Sequence, residues 1–563
     1  MEPATLAADR DQPLTPLDWF LAEQADLSAV ERFARRHDAH DAHAVPAQAR
    51  YYRDLIPLDR PAAGQQYGFE VDLDACTGCQ ACVTACHALN GLDDGESWRS
   101  VGSIGTAGSA AYSQTVTSAC HHCVDPACLN GCPVKAYEKD PVTGVVSHLD
   151  DQCIGCRYCV LTCPYEVPRY NPGRGIVRKC DLCQDRLAVG EAPACVQSCP
   201  NAAIRVALVD TAAARASATG ALVAGAPASS ITVPTTRYIS RRRRPPAPGE
   251  APGTSAAALP PPRRGQAHLP LTVMLVLTQM AVGTALMGLA AAPVDGGAVP
   301  VELGPASAVV ALGVGMVALG ASVLHLGRPA YAFRAVLGIR RSWLSREIAA
   351  FTAFAALAGA HGVASLAGAG PGAGAGSGAR VLAGLAAGAG VAGVACSAQV
   401  YAVTGRRWWR LATTATKFAL TAVATGAAGA LVITAGVTLG TGAGAGEPAH
   451  IAPLATVVAV VVGAKLAWEL AFLRHLRAGS PPELTTSARL LVGELGRSTR
   501  WRVVLGAAGA LAALASARAA AHGGVVLVLL ASAAALAVVA GELIERWQFF
   551  TASAPPRMPS SPG

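Results

Sequence analysis

Eight long apolar stretches fill the second half of this chain: Leu269 to Ala292, Leu303 to Leu326, Ile348 to Leu366, Val381 to Val403, Leu411 to Leu439, Ile451 to Leu473, Val503 to Ala521 and Val525 to Ile544. A helix rising ~1.5 Å per residue needs about 20 such residues to cross a hydrocarbon core of ~30 Å. Each stretch therefore predicts a membrane span, and the set predicts an all-α eight-helix bundle over residues 269–550. Their abundant Ala and Gly suit close helix packing in lipid, although pairs such as Gly384 and Gly388 are too frequent to mark a face.

The polar positions between spans alternate in charge. Arg328, Arg334, Arg340, Arg341 and Arg346 lie between spans two and three, and Arg406, Arg407 and Arg410 between four and five. Arg474, Arg477, Arg489, Arg497, Arg500 and Arg502 lie between six and seven. The intervening connections carry only Arg380 and, near a border, Arg518. Positively charged loops stay inside, so the even span count predicts both termini on the cytoplasmic side of the membrane. Composition agrees with a lipid-embedded half: of 563 residues, 52% are hydrophobic and only 15% charged.

The first half is organised by cysteine. Sixteen of the 17 cysteines fall into four quartets: Cys76, Cys79, Cys82 and Cys86; Cys120, Cys123, Cys128 and Cys132; Cys153, Cys156, Cys159 and Cys163; Cys180, Cys183, Cys195 and Cys199. Pro133, Pro164 and Pro200 follow the last three. Three closely spaced thiolates can hold three corners of a cubane while the fourth cysteine, carried off by the turn at Cys-Pro, serves another cluster. Four quartets thus predict four 4Fe-4S clusters. By this exchange, Cys76, Cys79, Cys82 and Cys199 hold one, and Cys180, Cys183, Cys195 and Cys86 its neighbour. Cys120, Cys123, Cys128 and Cys163 hold a third, and Cys153, Cys156, Cys159 and Cys132 the fourth.

Disulfides and structural zinc fit less well. The opening MEPATLAADRDQPLTPLDWF has acidic residues and no apolar core, so it reads as lacking a signal peptide. Zinc favours separated CxxC pairs, often with histidine. A partial repeat, DxCxGCxxC at Asp74 and Asp151, predicts two ferredoxin modules, one inserted in the other. The first and fourth quartets belong to the outer module and the second and third to the inner one. Gly78 and Gly155 let the backbone turn tightly and aim amides at sulfur. The chain therefore divides into an N-terminal extension (1–65), an α+β tandem ferredoxin-like domain (66–240), an Arg/Pro-rich linker (241–268), the membrane anchor (269–550) and a tail (551–563). Arg241 to Arg244 read as a topology anchor ahead of the first span rather than a nucleic-acid patch. The extension, with Trp19, Phe20, Tyr51 and Tyr52, drapes over either the cluster domain or a partner.

Residues 69–200 closely resemble the four-cluster electron-transfer subunit of the dimethyl sulfoxide reductase family, through CHHCVDPACLNGCP, CIGCRYCVLTCPY and RKCDLCQDRLAVGEAPACVQSCP. The membrane half resembles that family's anchor subunit through ASVLHLGRPAYAFRAVLGIRRSWLSRE and AGELIERWQFF. The resemblance implies two subunits fused in one chain, a separate molybdopterin-containing catalytic partner, and oxidation of menaquinol by the anchor in anaerobic respiration. The chain is then a redox subunit of a larger oxidoreductase, with the terminal substrate and the direction of electron flow left open.

Ionisable groups in spans usually mark a site or a buried pair. His325 closes span two and Glu347 opens span three, inside the two segments that resemble the family's quinol region. A quinol losing two electrons also loses two protons, which a histidine with a nearby carboxylate can accept. The competing reading is an interfacial His and Glu snorkelling among arginines. Lys465 and Glu469, one turn apart in span six, read as neutralising each other. His361 has no second histidine at its depth, His450 and His522 lying at the opposite face, so no haem is expected. Cys396 reads as a packing residue. Two alternatives to the electron-transfer reading stand beside it. One is a cluster-linked proton pump or transporter, for which Lys465, Glu469 and Lys417 are sparse equipment. The other is a quinone-reducing partner of a formate-type dehydrogenase.

Overall fold

The computed structural model describes residues 47–105, 113–242, 264–290, 303–367, 377–440, 450–477, 479–521, 524–555 and 557–559, with a few isolated positions before residue 47. Most of the N-terminal extension, including Trp19 and Phe20, lies outside the described residues. So do linker residues 243–263 and His522.

Among the described residues the cluster domain contains nine short strands and six short α-helices. The strands are β1 (Gln65–Asp72), β2 (Ser100–Gly105), β3 (Ser113–Ser118), β4 (Tyr137–Lys139), β5 (Val146–His148), β6 (Arg169–Asn171), β7 (Ile176–Arg178), β8 (Ile204–Asp210) and β9 (Arg237–Ile239). The helices are α1 (Ala81–Leu89), α2 (Ala127–Gly131), α3 (Tyr158–Thr162), α4 (Gln184–Ala188), α5 (Ala194–Gln197) and α6 (Thr211–Ser217). β1 pairs antiparallel with β8 and parallel with β9, while β2–β3, β4–β5 and β6–β7 are antiparallel pairs.

This topology nests one module in the other. α1 packs on α5, from the first and fourth quartets, and α2 packs on α3, from the second and third. The repeat is visible in the backbone: Gln80 and Arg157, equivalent in their quartets, both adopt left-handed φ values, 63° and 59°. Of the extension, residues 47–56 join the outer module. Tyr52, Leu55 and Ile56 pack with Tyr67, Phe69, Cys82 and Cys195, whereas Tyr51 stays exposed.

Among the described residues the membrane half contains nine α-helices: α7 (Leu269–Ala290), α8 (Leu303–Val323), α9 (Trp343–Ala367), α10 (Ser377–Ala402), α11 (Leu411–Gly440), α12 (Ile451–Ala471), α13 (Pro482–Val492), α14 (Gly496–Ala519) and α15 (Gly524–Thr551). All but α13 are long and apolar enough to cross a membrane. α7 packs on α8, α10, α11 and α15, so the first helix sits centrally in the bundle. Glycine allows its closest approach, since a Cβ on Gly426 of α11 would collide with the backbone of Gly283 on α7.

Several boundaries depart from the sequence expectation: α8 ends at Val323, short of His325, and span three begins at Trp343 rather than Ile348, which brings Arg346 and Glu347 into α9. Span seven begins at Gly496 rather than Val503, which takes Arg497, Arg500 and Arg502 out of the loop and into a helix. Span eight continues past Ile544 to Thr551, carrying Glu545 and Arg546 inside the bundle. Partners on neighbouring helices reach Arg502, Glu545 and Arg546, charges that hydropathy alone assigns to the border.

Candidate functional site

Strand pairing explains how cysteines far apart in sequence come together. Cys76 follows β1 and Cys199 precedes β8, and the antiparallel register Val71↔Ile204 puts them at one end of the sheet. Cys76, Cys79, Cys82 and Cys199 line one cavity. Cys120, Cys123, Cys128 and Cys163 line a second. Cys132, Cys153, Cys156 and Cys159 line a third, where the β4–β5 register Tyr137↔His148 joins the two flanking motifs. The four remaining thiols are also near one another: Cys86 has Cys195 and Cys183 as electrostatic neighbours, and Cys180 has Cys86 and Cys183 besides Cys120 of the second group. In every group, three thiols of one quartet meet one thiol of another.

The chemistry of these donor sets fits iron-sulfur clusters. Burial, then neighbouring sulfur, pushes Cys86, Cys156 and Cys183 up to about 12. Four thiolates crowded in one dry cavity need positive charge between them. Among the described residues no three Cys, His, Asp or Glu converge as a single metal ion requires. Backbone amides also point at sulfur: Gly155 N–H donates to Cys153 Sγ at 3.4 Å and Ala136 N–H to Cys132 Sγ at 3.2 Å.

Two buried cations stand between the groups. Burial opposes the charge of Arg99, yet Cys195, Cys82, Cys180 and Cys86 hold its proton more tightly than usual. Its Nη1 donates to Thr117, while Nε and Nη2 have no protein acceptor. Burial likewise opposes Lys179, and Cys120, Cys128 and Cys180 outweigh it. Neither has a salt-bridge partner among the described residues, so cluster charge is the natural counter-ion for both. The spacing pattern that exposes cysteines gives no hint of Arg99, which lies between quartets.

The third cavity faces the membrane half. Gly338 N–H donates to Pro133 O at 2.7 Å, Ser342 Oγ to Gly131 O at 2.6 Å and Arg328 N–H to Ile154 O at 3.0 Å. Arg328 and Arg334 also cap the carbonyls of Asp150 and Asp151. Gly155 has a second duty here: with φ of 68°, its Cα approaches Gly175 and Gly327 so closely that any Cβ would overlap their backbones. Tyr158 OH donates to Val400 O at 2.8 Å, and an aromatic seam of Tyr401, Trp409, Phe549 and Phe550 surrounds it. The cluster domain thus docks on the arginine-rich ends of the spans.

His325 and Glu347 both lie at this docked end, buried at 7% and 3% exposure. Their neighbours differ. The His325 ring packs edge-on to His268, with centroids 5.4 Å apart, and Arg157 of the third quartet lies within electrostatic range of both rings. Glu347 accepts a short hydrogen bond from Ser397 Oγ and is felt by Tyr158. His268, treated in sequence as the end of the linker, is therefore part of the setting. A histidine abutting the first apolar run was the available signal. Cys396 is half-buried on α10, and His361 hydrogen-bonds with Ser365 on α9.

Lys465 and Glu469 are not each other's principal partners. Lys465 Nζ donates to Glu542 through a short contact and to Thr421 Oγ1 at 2.6 Å, and Glu469 is 3.8 Å away. Glu469 instead receives a two-pronged bond from Arg502 at 3.0 and 3.1 Å, and Arg502 also reaches Glu542 at 2.8 Å. Lys417 holds Glu545 at 3.0 Å, and Arg546 reaches Gln279 and Thr421. This corrects the view of Lys465, Glu469 and Lys417 as nearly alone. Their main carboxylate and guanidinium partners lie 33 or more positions away on other helices, where an i,i+4 rule cannot find them.

Comparison with known proteins follows the same division. Residues 112–208 match the family described as 4Fe-4S dicluster domain, and residues 263–551 that described as DMSO reductase anchor subunit (DmsC). The B subunit of anaerobic dimethyl sulfoxide reductase from Escherichia coli (strain K12) is 38% identical over 154 residues, covering 26% of this chain and 75% of that protein. The formate dehydrogenase-O iron-sulfur subunit of the same organism is 48% identical over 85 residues, 15% of this chain and 28% of that subunit. Hydrogenase-2 operon protein HybA of Escherichia coli O157:H7 is 47% identical over 95 residues, 16% of this chain and 29% of that protein. The chain thus spans less than a third of the formate dehydrogenase and hydrogenase relatives, and most of the dimethyl sulfoxide reductase one. With a cluster domain like that subunit's and an anchor domain in sequence after it, the chain belongs to the dimethyl sulfoxide reductase family and fuses its iron-sulfur and membrane-anchor subunits.

Proposed function

We propose that this chain oxidises menaquinol at the docked end of its membrane bundle and delivers the electrons to a separate molybdopterin-containing catalytic subunit. The observation that carries this reading is one of place. The segment joining α8 to α9, which bears His325 at its start and leads into the first turns of α9 where Glu347 sits, is the segment that grips the cavity of Cys132, Cys153, Cys156 and Cys159. A proton acceptor and an electron acceptor are then side by side, as quinol oxidation requires. We further propose four 4Fe-4S clusters, each held by one of the four mixed cysteine groups; such clusters supply one-electron transfer. The protein around them excludes water, aims amides at sulfur and sets Arg99 and Lys179 between neighbouring groups. Residues 66–240 and 269–550 serve as the two functional domains in this reading.

A direct test is iron content together with one exchange-sensitive variant. Anaerobically purified full-length protein is expected to carry the iron of four cubanes, and Cys199→Ser to perturb the EPR signal of the centre assigned to Cys76, Cys79 and Cys82. About half that iron, or loss of the centre assigned to Cys180, Cys183 and Cys195 instead, overturns the assignment.

The loop arginines and the docked cluster domain support a cytoplasmic location for that domain. Alkaline phosphatase fused to the C-terminus is expected to be inactive, since it folds only where disulfides form. Strong activity reverses the orientation. A proton pump is the weaker reading: the buried charges occupy the arginine-rich half of the bundle, and the opposite halves of α11, α12, α14 and α15 carry only Arg518 among the described residues.

A further inference from the structure

A cavity of about 250 Å³ lies among α11, α12, α14 and α15, at the arginine-rich ends of these spans. It is separate from the surroundings of His325 and Glu347: neither residue lines it, nor do His268, Arg157, Tyr158 or Ser397 around them. Exposed Arg410 and Thr413 at the start of α11, and Leu470 and Arg474 at the end of α12, form its rim. Its depth is closed by the pairs Lys417–Glu545 and Arg502–Glu469. Trp408, Trp468 and Phe472 supply aromatic wall, and Leu484 and Leu491 of the amphipathic α13 cover it.

Charge in this cavity is unbalanced. Five arginine and lysine side chains line it against two carboxylates, Glu469 and Glu545, both already paired. Arg410 and Arg474 have no carboxylate partner among the described residues, and Nη1 of Arg502, a residue only 2% exposed, has no hydrogen-bond acceptor. Two free guanidinium groups at a rim bind phosphate oxygens in charge-assisted, often bidentate fashion. The aromatic and leucine walls below them would be wasted on a small anion. A neutral quinol would have no use for the excess cations. The ends of spans are also the level at which lipid headgroups sit.

We propose that this cavity is a binding site for an anionic glycerophospholipid, with its phosphate diester between Arg410 and Arg474 and an acyl chain against Trp408, Trp468 and Phe472. A lipid seated there fills the gap between α11 and α12 beside the buried ion pairs and keeps water from them. This site is distinct from the proposed quinol site and stands or falls apart from it.

The test is native mass spectrometry of the detergent-solubilised full-length chain, with dioleoyl phosphatidylglycerol or dioleoyl phosphatidylcholine added. The unaltered protein is expected to retain one phosphatidylglycerol with about tenfold preference over phosphatidylcholine. Arg410→Ala/Arg474→Ala is expected to lose that preference, and Arg410→Lys/Arg474→Lys to keep most of it while reporting that the fold survives. An unchanged preference in the alanine pair overturns the proposal. Displacement of the lipid by inorganic phosphate alone also overturns it, in favour of a small-anion site, and displacement by a menaquinone analogue does so in favour of a quinone site.

Discussion

Menaquinol is expected to stop reducing the iron-sulfur centres when Glu347 becomes Gln or His325 becomes Leu, while dithionite still reduces them fully. The expected loss in quinol-driven rate is about 10²-fold or more, the usual contribution of a positioned general base. Glu347→Gln is the sharper probe of the two. An amide still accepts the hydrogen bond from Ser397, so packing is retained and only the capacity to take a proton is removed. His325→Leu removes the ring that packs on His268, and His268→Leu should then reproduce part of its effect. Stopped-flow reduction by a menaquinol analogue, followed by cluster absorbance, separates the outcomes. Normal quinol-driven rates in both the Glu347→Gln and His325→Leu proteins would place the site elsewhere and leave the α8–α9 segment as a docking element.

The second large effect concerns stability. Lys465→Met leaves Glu542 and Glu545 without their shared ammonium inside the bundle, and removing one partner of a buried pair costs about 3–5 kcal/mol. Replacing both Lys465 and Glu542 with apolar residues of similar size removes the carboxylate that would keep only Arg502 as its cationic partner, and should recover much of that loss. Thermal unfolding in detergent, run as a double-mutant cycle, measures the coupling. Additive losses would show that the short contact between Lys465 and Glu542 contributes little. Arg502 complicates the double variant in a predictable direction, since it loses one of its two carboxylates but keeps Glu469.

Local chemistry explains why so much was legible in the chain of residues. Three thiols as closely spaced as Cys76, Cys79 and Cys82 suit one compact centre, and a proline after the fourth turns the chain away in three of the quartets, so the quartets can be read from spacing and an exchange among them is expected. Bilayer thickness makes a span readable from length and hydropathy alone, and the loop arginines supply an expected orientation. Gly78 and Gly155, read as tight turns, have φ values of 74° and 68°.

Other features depend on contacts across long separations. The approach of Gly155 to Gly327 requires two domains to be docked, and nothing local to Gly327 signals it. Glu542, Arg502 and Lys465 come from three helices, so pairing Lys465 with Glu469 followed the only rule available within one helix. Arg99, His268 and the cavity at Arg410 and Arg474 likewise belong to no single segment. The cofactor class and the eight spans were already written in the order of residues, because ligation spacing and bilayer thickness act over tens of residues. Which charges meet and which cavities exist emerged with the folded chain, because a buried charge is satisfied by whichever partner packing brings within about 3 Å, wherever that partner lies in the sequence.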